Sequence, residues 1–250
     1  NILGDSKYVG FKNYIKLFED QRLVVMYSNT IFFTVFAVTF NAGLGLLLAV
    51  MLNQRMPNFV RNLYRSIFFF PLLLAHAYIA IIWKFLYQKD TGAFNYYITN
   101  MGYEAIPWLN SAQWVLPSII IMDVWKNTGF AMLIFLAGLQ NIPKNVIEAS
   151  IIDGASQFKS FIFVKLPLLS PTILFVLVVF MIGALQVFDS IVVLTNGGPG
   201  DASRSVTMYI YHLAFEKFDM GYASAVSMTL FIIILILTIL QFTISKKWVH

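Results

Sequence analysis

The chain has 250 residues, 59% of them hydrophobic and 12% charged, with a mean hydropathy of +0.74 and a formal net charge of +5. A soluble core cannot use that much apolar surface, so lipid is the solvent for much of the chain. Lack of cysteine excludes disulfides and thiolate metal sites, three scattered histidines form no ligand cluster, and the dispersed positive charge builds no nucleic-acid surface.

Residues 1–24 are amphipathic and charged, carry no signal-peptide pattern, and read as an interfacial segment. Five apolar stretches follow, at 25–50, 66–87, 115–136, 168–194 and 223–245. Each is long enough to cross a bilayer as a helix, for which about 20 residues suffice. Helices are forced, because lipid offers the backbone no hydrogen-bond partner. The expected fold is an all-α polytopic bundle, with the membrane domain over 25–245.

The loops set the orientation. Segments 52–65, 137–167 and 246–250 fall on one side and hold Arg55, Arg61, Arg65, Lys144, Lys159, Lys165, Lys246 and Lys247. The longer segments 1–24, 88–114 and 195–222 hold seven Lys or Arg between them. The denser positive charge places the first group in the cytoplasm and Asn1 outside.

The loop at about 141–167 interrupts the apolar pattern. Pro143 suits a helix start. Ile147, Ile151, Ala155, Phe158 and Ile162 then recur at steps of three and four, one apolar stripe of a helix. Gly154 interrupts the stripe and permits a sharp change of direction. Taken alone, the pattern also fits an ordinary amphipathic interfacial helix. Its residues, however, closely resemble the EAA loop of permease subunits in ATP-binding-cassette (ABC) importers. Glu148, Ala149, Gly154, Leu166 and Pro167 match, while Ser150 replaces the second Ala and Val164 replaces Ile. The resemblance implies a coupling helix seated in a separate ATPase, through Glu148, Ala149, Ser150, Asp153, Gly154 and Ala155. It also implies a further span before Asn1.

A second signature runs from Phe188 to Pro199 and includes Thr195-Asn196-Gly197-Gly198-Pro199. Read plainly, this is a tight turn in which Gly197 and Gly198 supply unusual backbone angles before Pro199. Tyr209-Ile210-Tyr211, Ala214-Phe215 and Gly221-Tyr222-Ala223 follow it. Together with Trp125, the run 137–143 and Val9-Gly10-Phe11-Lys12-Asn13-Tyr14, it resembles the carbohydrate-uptake branch, the maltose and glycerol-3-phosphate type permeases. The resemblance implies the type I ABC importer permease fold and an external position for this loop.

Polar residues inside the apolar stretches form the third feature, since such groups face a bundle interior or a cavity. Asp123 and Lys126 are spaced to pair on one helix face, as are Gln186 and Asp189. The resemblance implies a sugar pocket that uses His76, Asp123, Lys126, Asn127 and Gln186. The other reading is an Asp123–Lys126 pair plus interhelical hydrogen bonds that only hold the bundle together.

No Gly-x-x-x-x-Gly-Lys-Ser/Thr run cradles phosphate, and no catalytic constellation is present, so the chain reads as neither an ATPase nor another enzyme, with no cofactor. The resemblance implies a bacterial inner-membrane permease subunit that imports a carbohydrate. Its partners would be a second, related permease, two ATPase subunits and an external solute-binding protein. A glycerol-3-phosphate importer is one alternative. A secondary transporter is another, and would need ion-coupling carboxylates, usually within internal repeats, of which none is evident.

Overall fold

The computed structural model describes residues 8–248, and every regular element among them is a helix. In chain order these are α1 Lys12–Glu19, α2 Gln21–Leu52, α3 Asn58–Leu73, α4 His76–Leu86, α5 Ala93–Asn100, α6 Val115–Gln140 and α7 Lys144–Ile152. Then come α8 Gln157–Leu168, α9 Ser170–Leu185, α10 Asp189–Thr195, α11 Val206–Tyr211 and α12 Met220–Ser245. A π-helical turn, Phe161–Lys165, lies inside α8, and another, His212–Glu216, extends α11.

Helices α2, α6 and α12 are each long and apolar enough to cross a membrane alone. They are apolar all round, as lipid on one side and packing on the other require. More than half of the apolar window of α6 is buried (56%), against 28% in α2 and 22% in α12, so α6 is the packed span and the other two keep wide lipid-facing surfaces.

Two of the five expected spans are broken. The stretch 66–87 stops as α3 at Leu73 and restarts as α4 at His76, with Ala75 extended between them (φ −61°, ψ 143°). Pro71 weakens the last turn of α3, because it has no N–H for the carbonyl of Ile67. The stretch 168–194 is divided into α9 and α10 at residues 186–188, where Phe188 leaves helical geometry (φ −141°, ψ −65°). Gln186, expected on one helix face with Asp189, therefore lies in the break, and Asp189 begins α10. The α8–α9 pair also bends by 65° around Leu169. Only as bent pairs do these helices bring the spans to five.

The chain divides into two compact units, each built from three separate stretches. The first comprises 1–36, 74–123 and 182–235. Its core joins Leu23 and Met26 of α2 to Val206 and Tyr209 of α11 and to Tyr222 and Val226 of α12. At the start of α2 the Asp20 carboxylate accepts hydrogen bonds from the hydroxyls of Tyr209 (2.6 Å) and Tyr222 (2.8 Å) and from the N–H of Arg22 (3.1 Å). The segment 88–114 folds on Asn95, whose side chain donates to Lys89 O and Ile106 O (both 2.9 Å) and accepts from Ile106 N and Trp108 Nε1. Trp83, Tyr87, Phe94 and Trp108 pack around it, with Tyr87–Phe94 and Tyr87–Trp108 centroids both 5.4 Å apart.

The second unit comprises 37–73, 124–181 and 236–250. Met132, Phe135, Leu136 and Leu139 of α6 pack against Ala49 and Leu52 of α2 and against Leu169 and Val176. Close approach of the helices depends on glycine. A Cβ on Gly129 would lie 1.9 Å from the carbonyl oxygen of Phe68, and one on Gly45 would lie 2.4 Å from Cβ of Ala131. Small residues at such crossings let backbones meet where lipid gives no hydrophobic drive to association.

Burial pushes the Asp20 carboxyl up, but the two tyrosine hydroxyls and neighbouring backbone N–H groups outweigh it and hold the group below its ordinary value. A carboxylate depressed on folding stabilises fully above its unfolded pKa, and that contribution is lost as pH falls through the folded one. Thermal melts should therefore show this network intact from neutral pH to about pH 4 and failing below it. Asp20→Ala should lower stability at neutral pH by about 2 kcal/mol, since two tyrosine hydroxyls lose their acceptor. It should also flatten the acid limb of the melting profile.

Candidate functional site

The loop 141–167 lies wholly in the second unit and is anchored by Ile142, which is buried in that unit's core. Pro143 sits one position before its expected place, extended (φ −59°, ψ 131°), and α7 begins at Lys144. The end of α7 is closed by backbone bonds from Asp153 N to Ala149 O, Gly154 N to Ile151 O and Ala155 N to Ser150 O, each 3.0 Å. Gly154 has φ +81°, the left-handed backbone that ends many helices and favours glycine. Ser156 then caps α8 by accepting from Lys159 N at 3.3 Å.

This turn divides the apolar stripe that the sequence presented as continuous. Ile147 packs against the core of the unit, and Ile162 is half-buried. Ile151 (60% exposed) and Ile152 (84%) face outward at the end of α7, and Phe158 (74%) does so on α8 beyond the turn. Glu148, Ala149 and Asp153 are exposed beside them, Ala155 is half-buried, and Ser150 is buried. An outward apolar group with acidic neighbours at a helix-turn-helix corner has the character of a contact surface for another protein.

The polar groups of the spans are distributed over several elements. His76, half-buried, is the first residue of α4. Asp123, Lys126 and Asn127 share α6, where Lys126 is buried and the other two are half-buried. Gln186 is exposed, in the break between α9 and α10. His76, Asp123 and Gln186 belong to the first unit, Lys126 and Asn127 to the second. The Lys126 ammonium donates to Leu72 O at 3.4 Å. That carbonyl belongs to the last turn of α3, where acceptors have no intrahelical donor and a cation complements the negative helix end. Thr128 donates to Val124 O (2.6 Å) and to the buried Asn41 (3.4 Å). These contacts join α6 to α3 and to α2.

The loop after α10 turns through Asn196 (φ 49°), Gly197 (φ 83°), Gly200 (φ 56°) and Asp201 (φ 68°). Gly197 supplies an unusual angle as expected. Gly198 does not, and Asn196 and Asp201 take that role instead. Ser203 ties the loop, pairing with Thr195 Oγ1 (2.8 Å) and donating to Gly198 O (2.7 Å). Asp201 accepts from Arg22 (2.6 Å) and pairs with Arg204 (3.0 Å), and Asn29 donates to Asp201 O (2.9 Å). The loop is thus fixed to the start of α2. Sequence reasoning missed this clamp and the tyrosines on Asp20, although Tyr209 and Tyr222 lie in runs it had singled out.

Comparison with known proteins follows the same division of features. Residues 42–250 match the family described as binding-protein-dependent transport system inner membrane component. A probable ABC transporter permease protein, y4oQ of Sinorhizobium fredii, is 37% identical over 223 residues, 89% of this chain and 71% of that protein. The trehalose/maltose transport system permease protein MalF of Thermococcus litoralis is 34% identical over 242 residues, 97% of this chain and 81% of that protein. The fold matches a chain in the crystal structure of a bacterial ABC transporter involved in import of the acidic polysaccharide alginate, with a TM-score of 0.89 and 23% identity. That match covers 97% of this chain and 85% of the other.

Proposed function

Because the chain belongs to the family of binding-protein-dependent transport system inner membrane components, we propose that its substrate is a carbohydrate and that the loop 141–167 receives a separate ATPase. The chain is a multi-pass inner-membrane permease subunit of an ABC importer of the sugar and glycerol-phosphate type. The observation that carries the ATPase reading is the outward group of Ile151, Ile152 and Phe158, set beside Glu148 and Asp153 on a loop closed by Gly154. The chain has no phosphate-cradling loop of its own, so hydrolysis falls to the partner. The density of Lys and Arg supports a cytoplasmic position for this loop, where ATP is available.

The substrate class rests on the trehalose/maltose permease at 34% identity. Within the first unit, half-buried His76 and Asp123 and exposed Gln186 offer the planar amide, carboxylate and imidazole groups that sugar hydroxyls need. A second permease completes the pathway, and an external binding protein delivers the sugar. Binding-protein docking with ATP closes the ATPases, α7 moves with them, the bundle opens outward to take the sugar, and hydrolysis resets it.

The test is copurification of the chain with its ATPase and second permease, followed by ATPase assay with the binding protein. Sugar-loaded binding protein should raise hydrolysis several-fold over the unloaded form, with trehalose or maltose as first candidates. Stimulation by glycerol-3-phosphate alone would overturn the sugar assignment. Uptake driven by an ion gradient without ATP would overturn the importer reading.

A further inference from the structure

We propose that Ser150 and Ser160 form a hydroxyl clip that locks α7 to α8, so that the two helices move as one lever. The inference rests on the reading of α7 as the ATPase-facing helix, and it assigns the joint that transmits the motion.

Both serines are buried, at 8% and 3% exposure. Ser150 Oγ donates to Ile147 O at 2.7 Å and lies 2.9 Å from Ser160 Oγ. A serine hydroxyl has one proton. With that of Ser150 directed to Ile147 O, the proton between the two oxygens comes from Ser160. The relay therefore runs from Ser160 on α8, through Ser150, to the backbone of α7.

The direction of the Ser160 hydroxyl is the informative detail. A helical serine ordinarily returns its proton to a carbonyl three or four residues back in its own helix. Ser150 does so. Ser160 reaches across the turn to another helix, while its own backbone N–H takes Ser156 O at 2.8 Å. Ser150 serves twice, since its carbonyl also accepts Ala155 N at 3.0 Å and so closes the turn.

The joint needs such a restraint. Its pivot is Gly154, where an added Cβ would meet nothing within 4 Å. No side chain packs the pivot, and glycine leaves the backbone its widest freedom. The outward Ile151 and Ile152 directly follow Ser150, so a push on them arrives at the clipped residue. With the clip, the push passes into α8 and on to α9. Without it, the turn flexes and the push is dissipated. Ser150 stands where the EAA motif has alanine.

Two measurements test the clip. In the reconstituted importer, Ser150→Ala and Ser160→Ala should each lower sugar moved per ATP hydrolysed by about fivefold, the weight of one hydrogen bond. The double variant should lose no more than either single one, because one bond is shared. Ser160→Thr, which keeps the hydroxyl, should stay near the wild-type ratio. Independently of any ATPase, nitroxide labels at Asn145 and Lys159 can be placed in the full chain without background, since it has no cysteine. Their distance distribution should be narrow in the wild type and broad in both alanine variants. An unchanged distribution overturns the clip. Multiplying losses in the double variant, or an unchanged ratio despite broadened distances, overturns the lever. If the wild-type complex shows no ATP-dependent uptake, the importer reading fails, and the distance measurement still decides whether the joint is clipped.

Discussion

Gly129→Leu is expected to prevent the second unit from assembling, and Gly129→Ala to lower its stability by about 3 kcal/mol. The Cβ of either residue would stand 1.9 Å from the carbonyl oxygen of Phe68 and 2.6 Å from its carbonyl carbon. Both contacts are backbone, so no side chain can rotate away, and α3 and α6 must separate. Separation also withdraws Leu72 O from the Lys126 ammonium, now 3.4 Å away. A domain stabilised by roughly 5–15 kcal/mol does not tolerate both losses. The control is Gly43→Ala on α2, where the new Cβ meets nothing within 4 Å. It should leave stability unchanged or raise it by up to about 1 kcal/mol through helix propensity. Tryptophan fluorescence melts in detergent distinguish the three variants. Equal melting of Gly129→Leu and wild type would show that the crossing is looser than described.

Gly154→Val and Glu148→Arg are expected to leave the spans inserted and reduce ATPase capture tenfold or more, about 1.4 kcal/mol. Their causes differ. At φ +81° a β-branched residue is strained by about 1–2 kcal/mol. The turn relieves the strain by opening, which displaces Ile151 and Ile152. Glu148 is exposed, so its reversal leaves the fold intact and changes only the charge presented beside the apolar group. Pull-down of the ATPase by membranes carrying each variant, normalised to inserted permease, measures both. Full capture and transport in both would remove the loop from the coupling role. Loss in Gly154→Val alone would leave the shape of the corner as the determinant and dismiss the charge.

The parts of this molecule legible in the sequence are those fixed by local chemistry. Apolar run length marked the spans, and Gly154 marked the corner. The two helix breaks were invisible because they depend on distant partners. Residue 187 looks like any other apolar position in its run. Its carbonyl is released from the helix and accepts Ser205 Oγ at 2.7 Å, from 18 residues away. Leu72 O likewise finds Lys126, which is 54 residues away. Hydropathy reports what lipid permits and is silent on which carbonyl a remote hydroxyl or ammonium will satisfy. The apolar stripe at 147–162 misled for a related reason. Its periodicity was that of one helix, whereas α7 ends before left-handed Gly154 and Phe158 and Ile162 belong to α8.

The interleaving of the two units bears on biosynthesis. Thr30 Oγ1 on α2 accepts a hydrogen bond from the backbone N–H of Val206, 176 positions later, and Asp20 waits for Tyr222, 202 positions later. At about 5–20 residues per second, ribosomal synthesis leaves α2 without those partners for roughly 10–40 seconds. The first unit cannot close as the nascent chain emerges, because its final stretch, 182–235, is made late, whereas the core of the second unit lies within 42–180. Early spans must be sheltered by the insertion machinery, or held as separate helices in lipid, until the final helix arrives. A chain truncated before α11 therefore lacks the core partners of α2 in the first unit.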